Sequence, residues 1–107
     1  MYKRQNGNLA SGSKDKTIRI WNTQEGKEIN VLKGHSNWVG CLTVLPNGNL
    51  ASGSVDSTIR IWNTQEGKEI NILNGHSSTV LCLTILPNGN LASGSDDNTI
   101  RIWSFKF

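Results

Sequence analysis

Two cysteines in 107 residues are too few for a disulfide framework. They form no Cys-x-x-Cys knuckle, so neither secretion nor zinc is argued. No apolar run approaches the roughly 18 residues that a membrane span needs. No charged-then-apolar N-terminus suggests a signal peptide, so a cytoplasmic protein without membrane contact is expected. Charge of one sign is scarce as well. Eleven Lys and Arg against eight Asp and Glu give +3, and setting aside Lys3 and Arg4, for the reason given below, leaves +1. That balance does not indicate a basic nucleic-acid binder. Nor does any Gly-rich phosphate loop follow a strand and open a helix. What the chain does contain is four Trp and repeated Ile, Val and Leu runs, which supply material for a core rather than for disorder. Its length bounds it to one small domain at most.

The chain repeats itself. Ile20-Trp21 recurs as Ile61-Trp62 and Ile102-Trp103, each 41 residues on, and Gly34-His35 recurs as Gly75-His76 at the same period. Asn6 to Lys33 agrees with Asn47 to Asn74 at 24 of 28 positions. Gly34 to Trp62 differs from Gly75 to Trp103 at six of 29. The sequence is a tandem duplication of a 41-residue unit.

One unit reads as four short strands. Val39 to Leu45 is β-branched and apolar, and Pro46-Asn47-Gly48-Asn49 is a strong turn signal after it. Leu50 to Ser54 follows, with Ala51, Ser52 and Gly53 small enough to let a neighbouring sheet approach. Asp56 breaks that strand. Thr58 to Trp62 then alternates Ile59 and Ile61 with Thr58, Arg60 and Trp62. Thr64-Gln65-Glu66-Gly67 makes the next turn, and Lys68 to Leu73 alternates polar with apolar. An antiparallel meander of this size cannot bury both faces alone, so copies must pack against one another.

A four-stranded unit of this length, with Gly-His near its start and Trp ending its third strand, resembles the WD40 repeat over residues 6–107. The Trp-Asp dipeptide that names the family is replaced by Trp21-Asn22, Trp62-Asn63 and Trp103-Ser104. The resemblance implies an all-β fold of tandem four-stranded antiparallel propeller blades in an incomplete ring. Strands b to d of one blade fall in 6–33, a complete repeat in 34–74, and a repeat lacking its outer strand in 75–107. Ten strands cannot close a ring of four to eight blades. The remaining blades come either from a longer chain or from self-association. Residues 1–5 are unrelated to the repeat, which resumes without a flaw at Asn6. MYKRQ is also what a common transposon-end sequencing adapter encodes from a GTG start, so 1–5 is expected to be a non-native segment. The C-terminus, by contrast, stops where strand d would begin, as in a last blade that borrows its outer strand.

His35, Ser52, Asp56 and Trp62 form one recurring set, and His76, Ser93, Asp97 and Trp103 a second. Ser11, Asp15 and Trp21 are a third that lacks its His. Ser, His and Asp invite a nucleophilic triad. The resemblance instead implies a structural tetrad, in which Asp accepts from His, His meets Ser, and Ser meets the indole N–H. Three equivalent catalytic sites in so short a chain would be peculiar, so no catalytic, metal or cofactor residues are expected. Cys41 and Cys82, one repeat apart on strand a, read as small buried hydrophobes. The recurring Arg19, Arg60 and Arg101 read as scaffold.

The positions that differ between copies carry the functional signal. They cluster at the start of strand a and around the Asp of the b–c turn. In the family these loops share the end of the blade that faces partners. The candidate contacts are therefore Trp38, Gly40, Val55, Thr79, Leu81, Asp96 and Lys14. Trp38 is foremost, because its counterpart is Thr79 and aromatics anchor interfaces. The expectation is a non-enzymatic scaffold that binds a protein or peptide. The alternatives are a carbohydrate-binding propeller, weakened because Trp38 is not repeated, or the C-terminal sensor or scaffold part of a larger signalling or enzymatic protein.

Overall fold

The computed structural model describes residues 2–5 and 8–105, the first four by backbone alone. Among the described residues eleven strands make three separate antiparallel sheets. The first runs β1 (Tyr2–Gln5), β2 (Asn8–Gly12), β3 (Thr17–Asn22), β4 (Lys27–Lys33). The second runs β5 (Val39–Val44), β6 (Leu50–Ser54), β7 (Ile59–Asn63), β8 (Lys68–Leu73). The third has only β9 (Val80–Ile85), β10 (Leu91–Ser95) and β11 (Ile100–Trp103). Each is a simple meander, and the inner strands approach most closely: β1 and β2 lie by β5, and β5 and β6 by β9. The set does not close into a ring. Among the described residues no helix is long and apolar enough to cross a membrane.

The first sheet corrects the expected strand count. It has four strands rather than three, because Tyr2–Gln5 pairs with β2 in the register Tyr2↔Ser11 to Gln5↔Asn8. Antiparallel pairing is made by backbone groups, so a segment outside the repeat pattern can occupy the inner place. Among the described residues the third sheet has three strands.

The alternating apolar residues face neighbouring sheets. Ala10, Ile18, Ile20 and Leu32 of the first sheet pack on Val39, Leu42, Leu50 and Trp62 of the second. Cys41, Ala51, Ile59 and Ile61 of the second pack on Val80 and Leu91, with Leu83, Ile85 and Trp103 alongside. Close approach is what the small residues of β6 provide. A Cβ on Gly53 would lie 2.7 Å from the Val80 methyl and 2.6 Å from Cys41 Sγ. Among the described residues nothing covers the far face of the third sheet. Ile100 and Ile102 are 77% and 56% exposed there, and Cys82, expected to be buried, is exposed for the same reason.

Four bulges interrupt the ladders. Gly40 is skipped between Val39↔Ser54 and Cys41↔Gly53, and Leu81 is skipped in the same place of β9. Ile29 and Ile70 are skipped on β4 and β8, which turns both outward into solvent. Extra residues of this kind re-aim side chains at sheet rims.

Candidate functional site

In the second and third sheets an Asp, a His, a Ser and a Trp lie within hydrogen-bond reach of one another in turn. In the second sheet the His35 ring lies 2.9 Å from Asp56 Oδ2 through Nδ1 and 2.6 Å from Ser52 Oγ through Nε2. The Trp62 indole N–H donates to the same Ser52 oxygen at 2.8 Å. Ser52 therefore donates its proton to Nε2 and accepts from Trp62, which leaves Nδ1–H for the carboxylate. In the third sheet His76 stands 2.9 Å from Asp97 and 2.7 Å from Ser93, with Trp103 donating to Ser93 at 2.8 Å. The first set holds what it has: Trp21 donates to Ser11 at 3.0 Å, and Asp15 binds Thr17 and Arg19.

These are Ser–His–Asp connections, and burial decides what they can do. Ser52 is 0% exposed and Ser93 1%, so neither hydroxyl can meet a substrate. Burial also holds the His35 ring below its ordinary pKa, against the pull of Asp56. The ring is neutral and its acceptor nitrogen is occupied. For Asp56, burial is the largest single influence and works upward. The Thr58 hydroxyl, the Ser36 N–H and the His35 ring together outweigh it and bring the carboxyl down to about 2. Asp97 is held below the usual carboxylate range, first by Thr99. Among the described residues no group of His, Cys, Asp or Glu is placed to hold a metal ion.

Several supporting residues were not singled out in the sequence. Ser36 and Ser77 donate backbone N–H groups to Asp56 and Asp97 at 3.0 Å, and Thr58 and Thr99 cap the other carboxylate oxygen. The repeated Asp-x-Thr was the available signal, because such a pair bonds its own turn. Arg60 bridges Glu69 at 2.6 Å to Asp56 at 4.0 Å, as Arg19 links Glu28 with Asp15. The Gly of Gly-His is also explained: a Cβ on Gly34 would lie 2.8 Å from the Trp62 ring.

The divergent residues gather at the ends of the inner strands. The Trp38 carbonyl accepts from the Val55 N–H at 2.9 Å, and the Thr79 carbonyl accepts from Asp96 N–H at 3.0 Å in the equivalent place. Lys14 Nζ sits 4.6 Å from the centroid of the Trp38 ring, a cation–π contact between the first two sheets. Trp38 is 44% exposed, Val55 37% and Leu81 53%. Lys14, Gly40 and Asp96 are exposed, and Thr79 is half-buried.

Three stacked antiparallel meanders, each knit by an Asp–His–Ser–Trp line or its remnant, define a segment of β-propeller. The profile of the WD40 family (WD domain, G-beta repeat) matches residues 4–22, 26–63 and 67–104, and the chain belongs to that family. It is 53% identical over 38 residues to a nuclear distribution protein PAC1 of Coprinopsis cinerea. It is 58% identical over 38 residues to a Lissencephaly-1 homolog of Glossina morsitans morsitans. Each match takes 36% of this chain and 9% of the relative. The chain thus spans only a small part of those relatives' length. Among solved structures, the WD40 β-propeller domain of Doa1 superposes with a TM-score of 0.88 at 27% identity, over 99% of this chain and 37% of that one. The computationally designed Ika4 protein superposes with a TM-score of 0.86 at 30% identity, over 98% and 64%.

Proposed function

We propose that this chain is a non-enzymatic WD40 scaffold segment that holds a protein or peptide partner against the loop ends of its inner strands. Membership of a family of interaction propellers supports the general role. The observation that carries the reading is the distribution of change. Near-identical copies differ at eight places in the repeat, and five of them (14/55/96, 16/57/98, 37/78, 38/79 and 40/81) fall at one end of the sheets, where the residues are mostly exposed. Residues that serve the fold are repeated and inward-facing. The tetrads belong to that second group, as tethers between the Gly-His loop and the second and third strands of each sheet. The contact residues are Trp38, Gly40, Val55, Thr79, Leu81, Asp96 and Lys14.

Photo-crosslinking tests this. Benzoylphenylalanine at position 38 or 81 should capture a discrete protein adduct in cells, whereas the same group at Ile29 on the outer strand should not. Adducts from position 29 alone, or from none of the three, would overturn the reading.

A further inference from the structure

The two junctions between sheets share one backbone design and expose different chemistry. At the first, the Trp38 carbonyl accepts from Val55 N–H at 2.9 Å and from the Ser54 hydroxyl at 2.8 Å. The Trp38 N–H donates to Asn37 Oδ1 at 2.8 Å, and the next residue, Val39, donates to Ser13 O at 3.1 Å. The backbone that carries the indole is therefore pinned between the loops of two sheets, and the ring, with Lys14 Nζ over it, belongs to a residue 44% exposed. Anchors fixed in place before binding lose little conformational freedom when a ligand arrives.

The charge around this ring is one-sided. Lys14 and Lys16 are both exposed, and neither forms an ion pair among the described residues. The carboxylate between them, Asp15, is already taken by Thr17 and Arg19. At the second junction the equivalent positions carry Val55, Ser57 and Thr79, and beside them stands the exposed Asp96. No cation and no aromatic are present there.

We propose that the first junction binds an extended acidic peptide, setting a carboxylate against Lys14 and Lys16 and laying an adjacent apolar side chain on Trp38 and Val55. This rests on the partner-face reading above and adds the chemistry of the partner. Two ammonium groups with no ion pair among the described residues attract the acid, and the indole, on the side not covered by Lys14, supplies the apolar footing with its valine neighbour. The second junction, lacking both, is excluded as an equal site.

The repeat itself provides the test variant. Lys14→Val, Lys16→Ser and Trp38→Thr each install the residue that the next copy carries in the same place, so the combined variant should fold. A library of random ten-residue peptides displayed on phage is selected against the chain. The recovered peptides should be enriched in Asp or Glu beside Leu, Ile, Phe or Trp. Their binding should weaken as salt rises and fall at least tenfold in the triple variant, whose melting should match the parent. Lys14→Glu with Lys16→Glu should select basic peptides instead, and Lys27→Gln, an exposed lysine on the outer strand β4, should change nothing. Absence of acidic enrichment, or equal binding to the triple variant, overturns the inference, whatever the cross-links from position 38 show. Tighter binding of a single-stranded oligonucleotide to the same lysines also overturns it. If cross-linking at 38 and 81 fails too, the broader reading falls with it.

Discussion

The second and third sheets carry nearly the same sequence and meet different surroundings. Ile59 and Ile61 are 0% and 4% exposed between two neighbours, whereas Ile100 and Ile102, in the identical Ile-Arg-Ile-Trp strand, are 77% and 56% exposed. Arg60 reaches Glu69 on a fourth strand, and no such strand follows β11 among the described residues. The tetrads are nonetheless alike to within 0.1 Å in each bond from His to Asp, His to Ser and Trp to Ser. The internal geometry of a blade is therefore written in its own sequence, while burial of its faces is written in the neighbours.

That contrast is broken most sharply at the isoleucines. Ile59→Ala should cost about 2–5 kcal/mol, the range for removing a buried Ile side chain. Ile100→Ala should stay within about 0.5 kcal/mol, as surface substitutions do. Paired urea titrations of the two variants check this. Equal losses would mean that the far face of the third sheet is covered in solution.

The glycines of β6 and β10 sharpen the same point. Gly53→Ala drives a methyl into both Cys41 Sγ and the Val80 side chain, and overpacking of that kind costs about 1–3 kcal/mol. Gly94→Ala meets only Cys82 Sγ, at 2.9 Å, with no neighbouring sheet behind it. A clearly smaller loss in urea midpoint is expected for Gly94→Ala.

Acid should separate the polar parts of the second sheet. The folded chain disfavours protonated His35, so its contribution is fully present above the ordinary value of 6.5 and declines as pH falls below it. Asp56, brought down to about 2 from an ordinary 3.8, favours the fold above 3.8, and that contribution is lost as pH falls through 2. Urea midpoints should therefore be level near pH 7 and fall in two stages. The His35→Gln variant should lose the upper stage and keep the lower. A single stage in the parent would contradict the geometry.

The fold was legible because period and turns were. The 41-residue repeat, Pro-Asn-Gly-Asn and the Ile-x-Ile strands place the sheets, and the likeness of Gly-His, Ser, Asp and Trp to the WD40 pattern is what suggests the tetrad. The first strand was not legible, since Tyr2–Gln5 pairs through backbone groups and carries none of the repeat's signals. The exposure of Cys82 was hidden for a different reason. Its sequence neighbours are those of buried Cys41, and only the absence of a covering sheet tells them apart. Bulges at Gly40 and Leu81 left no periodic trace either, because one skipped residue keeps the apolar pattern on both sides.

The smallest effect lies in the turn after the tetrad Asp, where copies differ at a strained backbone position. Lys16, Ser57 and Asn98 all adopt left-handed conformations, with φ of 76°, 74° and 69°. An L-residue pays for that conformation through Cβ crowding, and Asn pays less because its short amide bonds locally. The third copy already carries Asn, while the second carries Ser. Ser57→Asn should therefore stabilise the chain by about half a kcal/mol, and Asn98→Ser should cost a similar amount. Ser57 N–H and Asn98 N–H make the same bond, to Ser54 O and Ser95 O at 3.2 Å, so the exchange keeps that bond while changing the backbone preference. Thermal melting of the two reciprocal variants reads the difference, and shifts of the same sign would show that something other than φ governs the position.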